Sequence, residues 1–215
     1  MHIIHTILLN LLLCILYITP LWAESTQQEE TQAEAVHTNE IQNTIDKSSI
    51  TRTQKPLKIR TDREILEYFI GHVGELTKHK KGFTDKELIL EAKGNGEYNI
   101  QIPSKKITGD FSLAEQQANK AIYFGHGKAE SFLHFAGTIV LEVDYTMLND
   151  KAGCYADVKM GVYLGFNNPA VAVLAVITSP ILNPQLDKLI AKFTKRTQMV
   201  IEAAYAEKNG AQAKP

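Results

Sequence analysis

The 215-residue chain is poor in cysteine, carries no surplus of either charge and has no second long apolar run. Of its two cysteines, Cys14 falls inside the N-terminal apolar segment. Without that segment Cys154 stands alone, so no intrachain disulfide can form and the fold must rest on its own core. Lysine and arginine total 23 against 24 aspartate and glutamate, a net charge of −1. This balance gives no basic footprint for a nucleic-acid partner. Gly-x-Ser-x-Gly, His-Glu-x-x-His and phosphate-loop patterns are missing, which removes the mechanisms those spacings serve. No catalytic residue, metal ligand or cofactor is therefore assigned. Past the N-terminus, the longest unbroken apolar run, Ala170 to Ile177, is far too short to cross a bilayer.

What is present begins with "MHIIHTILLNLLLCILYITPLWAES". An apolar core from Ile3 to Tyr17, then Pro20 and a Leu21-Trp22-Ala23 junction, is the layout of an export signal cut between Ala23 and Glu24. The alternative is a retained anchor, although the run is just shorter than a comfortable span. Leu13 before Cys14 is bulky and apolar residues continue beyond it, so Cys14 is not read as a lipidation site. Residues 24–49 are rich in Gln, Glu, Thr and Ser and have no aromatics. Such a stretch cannot bury enough surface to offset its ordering, and a disordered polar leader is expected. The organisation expected is thus signal peptide 1–23, leader 24–49, folded domain 50–208 and flexible tail 209–215, in a periplasmic or secreted protein. About 150 residues suffice for one domain with a sizeable core.

Inside that domain the apolar period changes twice. "KPLKIRT" alternates at Leu57 and Ile59, and Thr61 to Glu64 has the capping-box spacing. Ile65, Leu66, Phe69, Val73 and Leu76 then predict a helix over roughly 62–80. Its basic end, Lys78 to Lys81, suits the helix C-terminus. From Glu87 to Phe166 the period is two, with Lys93-Gly94-Asn95-Gly96 marking a hairpin. Leu133, Phe135, Ile139, Leu141, Val143 and Tyr145 share one face of their strand, with His134 on the other. Cys154, Ala156, Val158, Met160, Val162, Leu164 and Phe166 share a face of the next. Alternation this regular predicts an antiparallel sheet with one wet face. Cys154 is then a small core hydrophobe, and a shared site with His134 is disfavoured. Asn168-Pro169 reads as a helix start, Pro180 and Pro184 as interruptions, and Leu186, Leu189, Ile190, Phe193, Val200, Ile201 and Ala204 as the apolar side of a long C-terminal helix.

Short strand, helix, antiparallel strands and a long final helix, with "GEYNIQI", "FAGTIVLEVDY" and "GCYADVKMGVYLGF", resemble the helix-grip fold of the START-related SRPBCC superfamily. The likeness, over about 55–207, is to its polyketide-cyclase-like members and to those similar to the G-type subunit of carbon monoxide dehydrogenase. The resemblance implies an α+β fold in which a curved antiparallel sheet wraps around the C-terminal helix, leaving a cavity for hydrophobic ligands. Most bacterial relatives of that kind are cytoplasmic, whereas this chain has an export signal.

On that expectation the partner is a lipid or other hydrophobic small molecule held non-covalently between sheet and helix. No nucleic acid and no membrane span beyond the signal segment are expected. The candidate ligand-binding residues are Phe124, His126, Phe135, Leu141, Met160, Leu164, Phe166, Val173, Ile177, Leu186 and Phe193. His126 and Lys128 share a side with Ile122 and Phe124, so either cation is expected to point inward and orient a polar headgroup. A frayed, solvated strand end is the simpler alternative. Two other functions stay open: an envelope protein-interaction module with a filled core and an active leader, and a cyclase- or hydrolase-type enzyme using His126. The balance falls on a non-enzymatic role. The intact mass of the exported protein should begin at Glu24; a mass retaining residues 1–23 would establish the anchor instead.

Overall fold

Alternating apolar residues over long stretches commit the middle of this chain to one sheet. The computed structural model describes residues 38–79, 83, 87–94, 96–130, 134–150 and 153–212, so the apolar N-terminal segment lies outside the described residues. The chain divides into two units, Met1–Gln42 and Asn43–Pro215. Helix α1 (38–46) spans that boundary, and the second unit carries every strand. These are β1 (Ile50–Thr53), β2 (Leu57–Arg60), β3 (Ile89–Gly94), β4 (Glu97–Ile102), β5 (Ile107–Gln117), β6 (Lys120–Glu130), β7 (His134–Asp150) and β8 (Gly153–Phe166) among the described residues. They form one antiparallel sheet in the order β1-β8-β7-β6-β5-β4-β3, with β2 also on β8. β1 and β2 lie in succession along the same edge of β8, Ile50 opposite Leu164 and Ile59 opposite Ala156. Pro56 lies between them and has no N–H to give to the ladder. At the β3–β4 hairpin Gly94 and Gly96 adopt φ of 102° and 74°, as that turn requires.

After α1 come the helices α2 (Arg63–Gly71), α3 (Glu75–Lys78) and α4 (Pro169–Gln212). The architecture is therefore α+β, a large antiparallel sheet with a long C-terminal helix, and is consistent with a helix-grip fold. The core joins Leu66, Phe69, Ile70, Val73 and Leu76 from α2, α3 and the link between them to Tyr123, Val143, Tyr145, Ala156 and Val158 of the sheet and to Val200 and Ile201 of α4. Hydrogen bonds fix this packing at both ends. The Tyr123 hydroxyl donates to the Ile70 carbonyl at 2.7 Å, and Tyr145 donates to Glu67 at 3.0 Å. Lys208 near the end of α4 reaches Asp62 at 3.0 Å and Glu64 at 2.7 Å. Arg52 of β1 grips Asp187 of α4, and Thr194 donates to Gln54 at 3.0 Å.

Four expectations are corrected. The helix foreseen over 62–80 ends at Gly71 and resumes as α3 after a break at residues 72–74. Glycines at 71 and 74 weaken the helix there, while Val73 and Leu76 stay buried and so preserve the apolar pattern across the break. The N-cap is Asp62, whose Oδ1 accepts the Ile65 N–H at 2.9 Å. Thr61 is fully buried and its hydroxyl donates to the Asp62 carbonyl. Residues 38–46, expected within a disordered leader, are helical. Thr44 is buried there and donates to Thr138 of β7 at 3.2 Å. The tail also starts later, because α4 continues to Gln212.

Some strand crossings are too close for any side chain. A Cβ on Gly125 would lie 2.5 Å from the Asp110 carbonyl oxygen and 2.7 Å from Phe111 Cβ, whereas one on Gly71 would meet nothing within 4 Å. Gly125→Ala should therefore lower unfolding free energy by about 1–3 kcal/mol, while Gly71→Ala should be neutral or stabilise by up to about 1 kcal/mol. Urea midpoints of the two variants check this.

Candidate functional site

No Asp, Glu, Lys, Arg or His occurs from Met160 to Leu186, so the first part of α4 is built from small and aliphatic residues. The Asn168 side chain accepts the Ala170 N–H at 2.9 Å and starts the helix, as its Asn-Pro sequence foretells. The helix then bends by 84° between Pro169–Pro180 and Asn183–Gly210, at the two prolines that cannot donate to the preceding turn. Among the described residues no single helix is long and apolar enough to cross a membrane. The bent-away segment leaves Val173 59%, Leu174 44%, Val176 55% and Ile177 67% exposed, with Ala175 buried beneath. Beside it lies an open groove of about 360 Å³, lined by Lys47, Ser48, Ser49, Ala172, Val173, Val176 and Ile177. On the polar wall Ser48 Oγ donates to the Ile45 carbonyl and the Ser49 N–H donates to the Leu164 carbonyl at 2.8 Å, while Lys47 is exposed. Apart from Lys47, what the groove offers a ligand is hydrocarbon.

The candidate residues do not meet in one cavity. Leu141, Met160 and Phe193 pack against the core, and Phe193 also stacks on Phe83 with ring centroids 5.1 Å apart. Leu164 and Phe166 share their face but lie further along β8, opposite Ile139 and Gly137, and are half-buried. Leu186 is half-buried just past the bend. Val173 and Ile177 line the open groove. Phe135 stands opposite Ala129 in the ladder.

Phe124 and His126 are a correction. Tyr123 faces the helices, so Phe124 and the residues in phase with it occupy the other face of the sheet. Phe124 is buried there, and the exposed His126 ring stands edge-on to it at 4.9 Å. His126 instead borders a shallow polar depression of about 290 Å³ with Asn99, Asp110, Lys128 and Asn167. Its charges are already matched. Asp110 accepts from Asn99 at 2.8 Å and pairs with Lys93 at 2.7 Å, contacts that hold its carboxyl below the ordinary value and so ionised. Lys128 pairs with Glu130 at 2.8 Å. Lys128, like His126, therefore does not point into the core. Among the described residues no group of three or more His, Cys, Asp or Glu could hold a metal ion. Cys154 is free and half-buried.

That same outer face carries a polar network that the sequence does not announce, because its members come from three strands. Lys120 of β6 donates to Glu142 of β7 at 2.9 Å, and Tyr163 of β8 donates to the other Glu142 oxygen at 2.8 Å. Burial works to raise the Glu142 carboxyl, yet the Lys120 and Tyr163 bonds outweigh it and hold the group below its ordinary value. The hydrogen bond to Glu142, then burial, pushes the Tyr163 phenol from 10.0 up to about 12. A proton held more tightly in the folded state stabilises fully below the ordinary value, and that stability is lost as pH rises through the folded one. Tyr163→Phe should cost about 1 kcal/mol near pH 8 and flatten the loss of stability between pH 10 and 12. Paired urea titrations of wild type and variant across that window measure both effects.

No protein-family model and no curated protein matches this chain. Among solved structures it is similar to a conserved protein from Geobacillus kaustophilus, with a TM-score of 0.55 at 14% identity. The match covers 73% of this chain and 97% of that one, and at this identity it is a likeness of fold alone.

Proposed function

We propose that this chain is an exported domain that binds a lipid or another hydrophobic small molecule non-covalently, with its sheet curved around α4 in the helix-grip manner. The site is the groove along the first segment of α4, lined on that helix by Ala172, Val173, Val176 and Ile177. It is not the space under the C-terminal half of the helix, where Val200 and Ile201 meet the core residues of α2 and the sheet. The observation that carries this reading is the exposure of Val173, Leu174, Val176 and Ile177 around a groove without charged lining other than Lys47. Exposed apolar surface of this kind marks contact with another apolar body. At roughly 25 cal/mol per Å², covering all that these four side chains leave exposed is worth at most about 7–10 kcal/mol. Association costs are of similar size, so the complex is reversible and of modest affinity.

One observation favours a second reading. The filled core between α2, the sheet and the C-terminal half of α4 suits an envelope protein-interaction module. In that case deleting residues 24–37, which leaves α1 in place, should change the set of captured partners. The ligand reading predicts that Val173→Asp and Ile177→Asp, with unchanged circular dichroism, each weaken uptake of a fluorescent fatty-acid analogue at least tenfold. A protein that stays empty in native mass spectrometry against a panel of lipids overturns it.

A further inference from the structure

We infer that the first segment of α4 is an interfacial element that seats on the surface of a lipid bilayer. This deepens the reading above and rests on its choice of that segment as the apolar-binding element; it names the bilayer as the source of the hydrocarbon.

Two observations select a bilayer over a protein partner. The first is chemical: from Met160 to Leu186 there is no charged side chain to desolvate. The one hydroxyl described as bonded within the segment, Thr178 Oγ1, is spent on the Leu174 carbonyl at 2.7 Å. The exposed side chains are valine, leucine and isoleucine, and not the tyrosine, tryptophan and arginine that anchor protein interfaces. The second is size. The segment from Pro169 to Pro180 is about 18 Å long at 1.5 Å per residue. The strip that it exposes falls well below the roughly 800 Å² per partner of a stable protein interface. An interfacial helix has no such threshold, since it buries its apolar side at the headgroup boundary.

The test uses the exported chain from Glu24 onward, which has no native tryptophan, with a reporter introduced as Val176→Trp. Vesicles of phosphatidylcholine with one-fifth phosphatidylglycerol are prepared with and without dibrominated acyl chains. Docking predicts a blue-shifted emission on adding vesicles and at least a twofold stronger quenching by brominated than by plain lipid. The same reporter at the exposed Lys188, as Lys188→Trp, should show neither. An unchanged Val176→Trp emission overturns the inference, and so does a shift that follows protein concentration instead of lipid, which marks a second copy. Uptake of the soluble fatty-acid analogue without quenching by vesicles overturns bilayer docking and leaves the ligand reading intact. Loss of both overturns both.

Discussion

The ladder between β7 and β8 is the constraint on which the rest of the unit depends. It runs without a register shift from Gly137 opposite Phe166 to Asp150 opposite Gly153. β1 and β2 hang on its outer edge, β6 extends it on the other side, and α4 begins three residues past its end. Because side chains alternate along a strand, the phase of this one ladder decides which residues meet the helices. It sends Val143, Tyr145, Ala156 and Val158 into the core, and Glu142, Tyr163 and Lys159 to the other face. A slip of one residue would exchange the two sets. The polar network at Glu142 helps to resist that slip, since Lys120, Glu142 and Tyr163 meet only in the observed register.

Two kinds of joint hold α4 to this sheet, and they are unevenly distributed. Beyond the bend, Asp187, Thr194, Gln198 and Lys208 make side-chain bonds to β1, β2, α2 or the residues next to them, and Lys192 and Arg196 pair with Glu87 just before β3. Before it, the side-chain bonds described stay within the helix, at Asn168 and Thr178. Most of those contacts are ion pairs on partly exposed side chains, individually worth about 1 kcal/mol or less. Their value is geometric: they fix the rotation of the helix so that Val200 and Ile201 face inward. Among the described residues the first segment has no such fixture, and Val173, Leu174, Val176 and Ile177 are not spent on the core.

Legibility in the sequence tracks how sharply apolar and polar residues separate. On β7 and β8 they separate well, and the inward faces are readable there. On β6 they do not, since Ala121 and Tyr123 face the core while Ile122 and Phe124 are buried on the opposite side. With both faces apolar, alternation carries no sign, and His126 is assigned inward with the wrong neighbours. The break in the helix at residues 72–74 is hidden for the converse reason: burial of Val73 and Leu76 keeps the helical period although the backbone does not. Asn168-Pro169 and the prolines at 180 and 184 locate the start and interruption of α4. They do not reveal that its apolar residues before the bend remain exposed, because that depends on the direction taken after Pro180. Lys120, Glu142 and Tyr163 are 43 positions apart at their extremes, and only the register of three strands brings them together.

The bend itself constrains how the apolar segment can be used. Proline at 180 removes the donor that the Val176 carbonyl would take, and proline at 184 does the same to Pro180. The Asn183 Oδ1 at the joint is buried without a hydrogen-bond partner among the described residues. Backbone and amide acceptors left open in this way are costly in hydrocarbon and need water or another donor. Four aliphatic side chains therefore seek an apolar phase, while the hinge that carries them must stay wet within one or two turns. A deep, closed cavity satisfies the first demand and violates the second. A shallow boundary between water and hydrocarbon satisfies both, with the aliphatic side chains on the apolar side and the proline joint level with the polar layer.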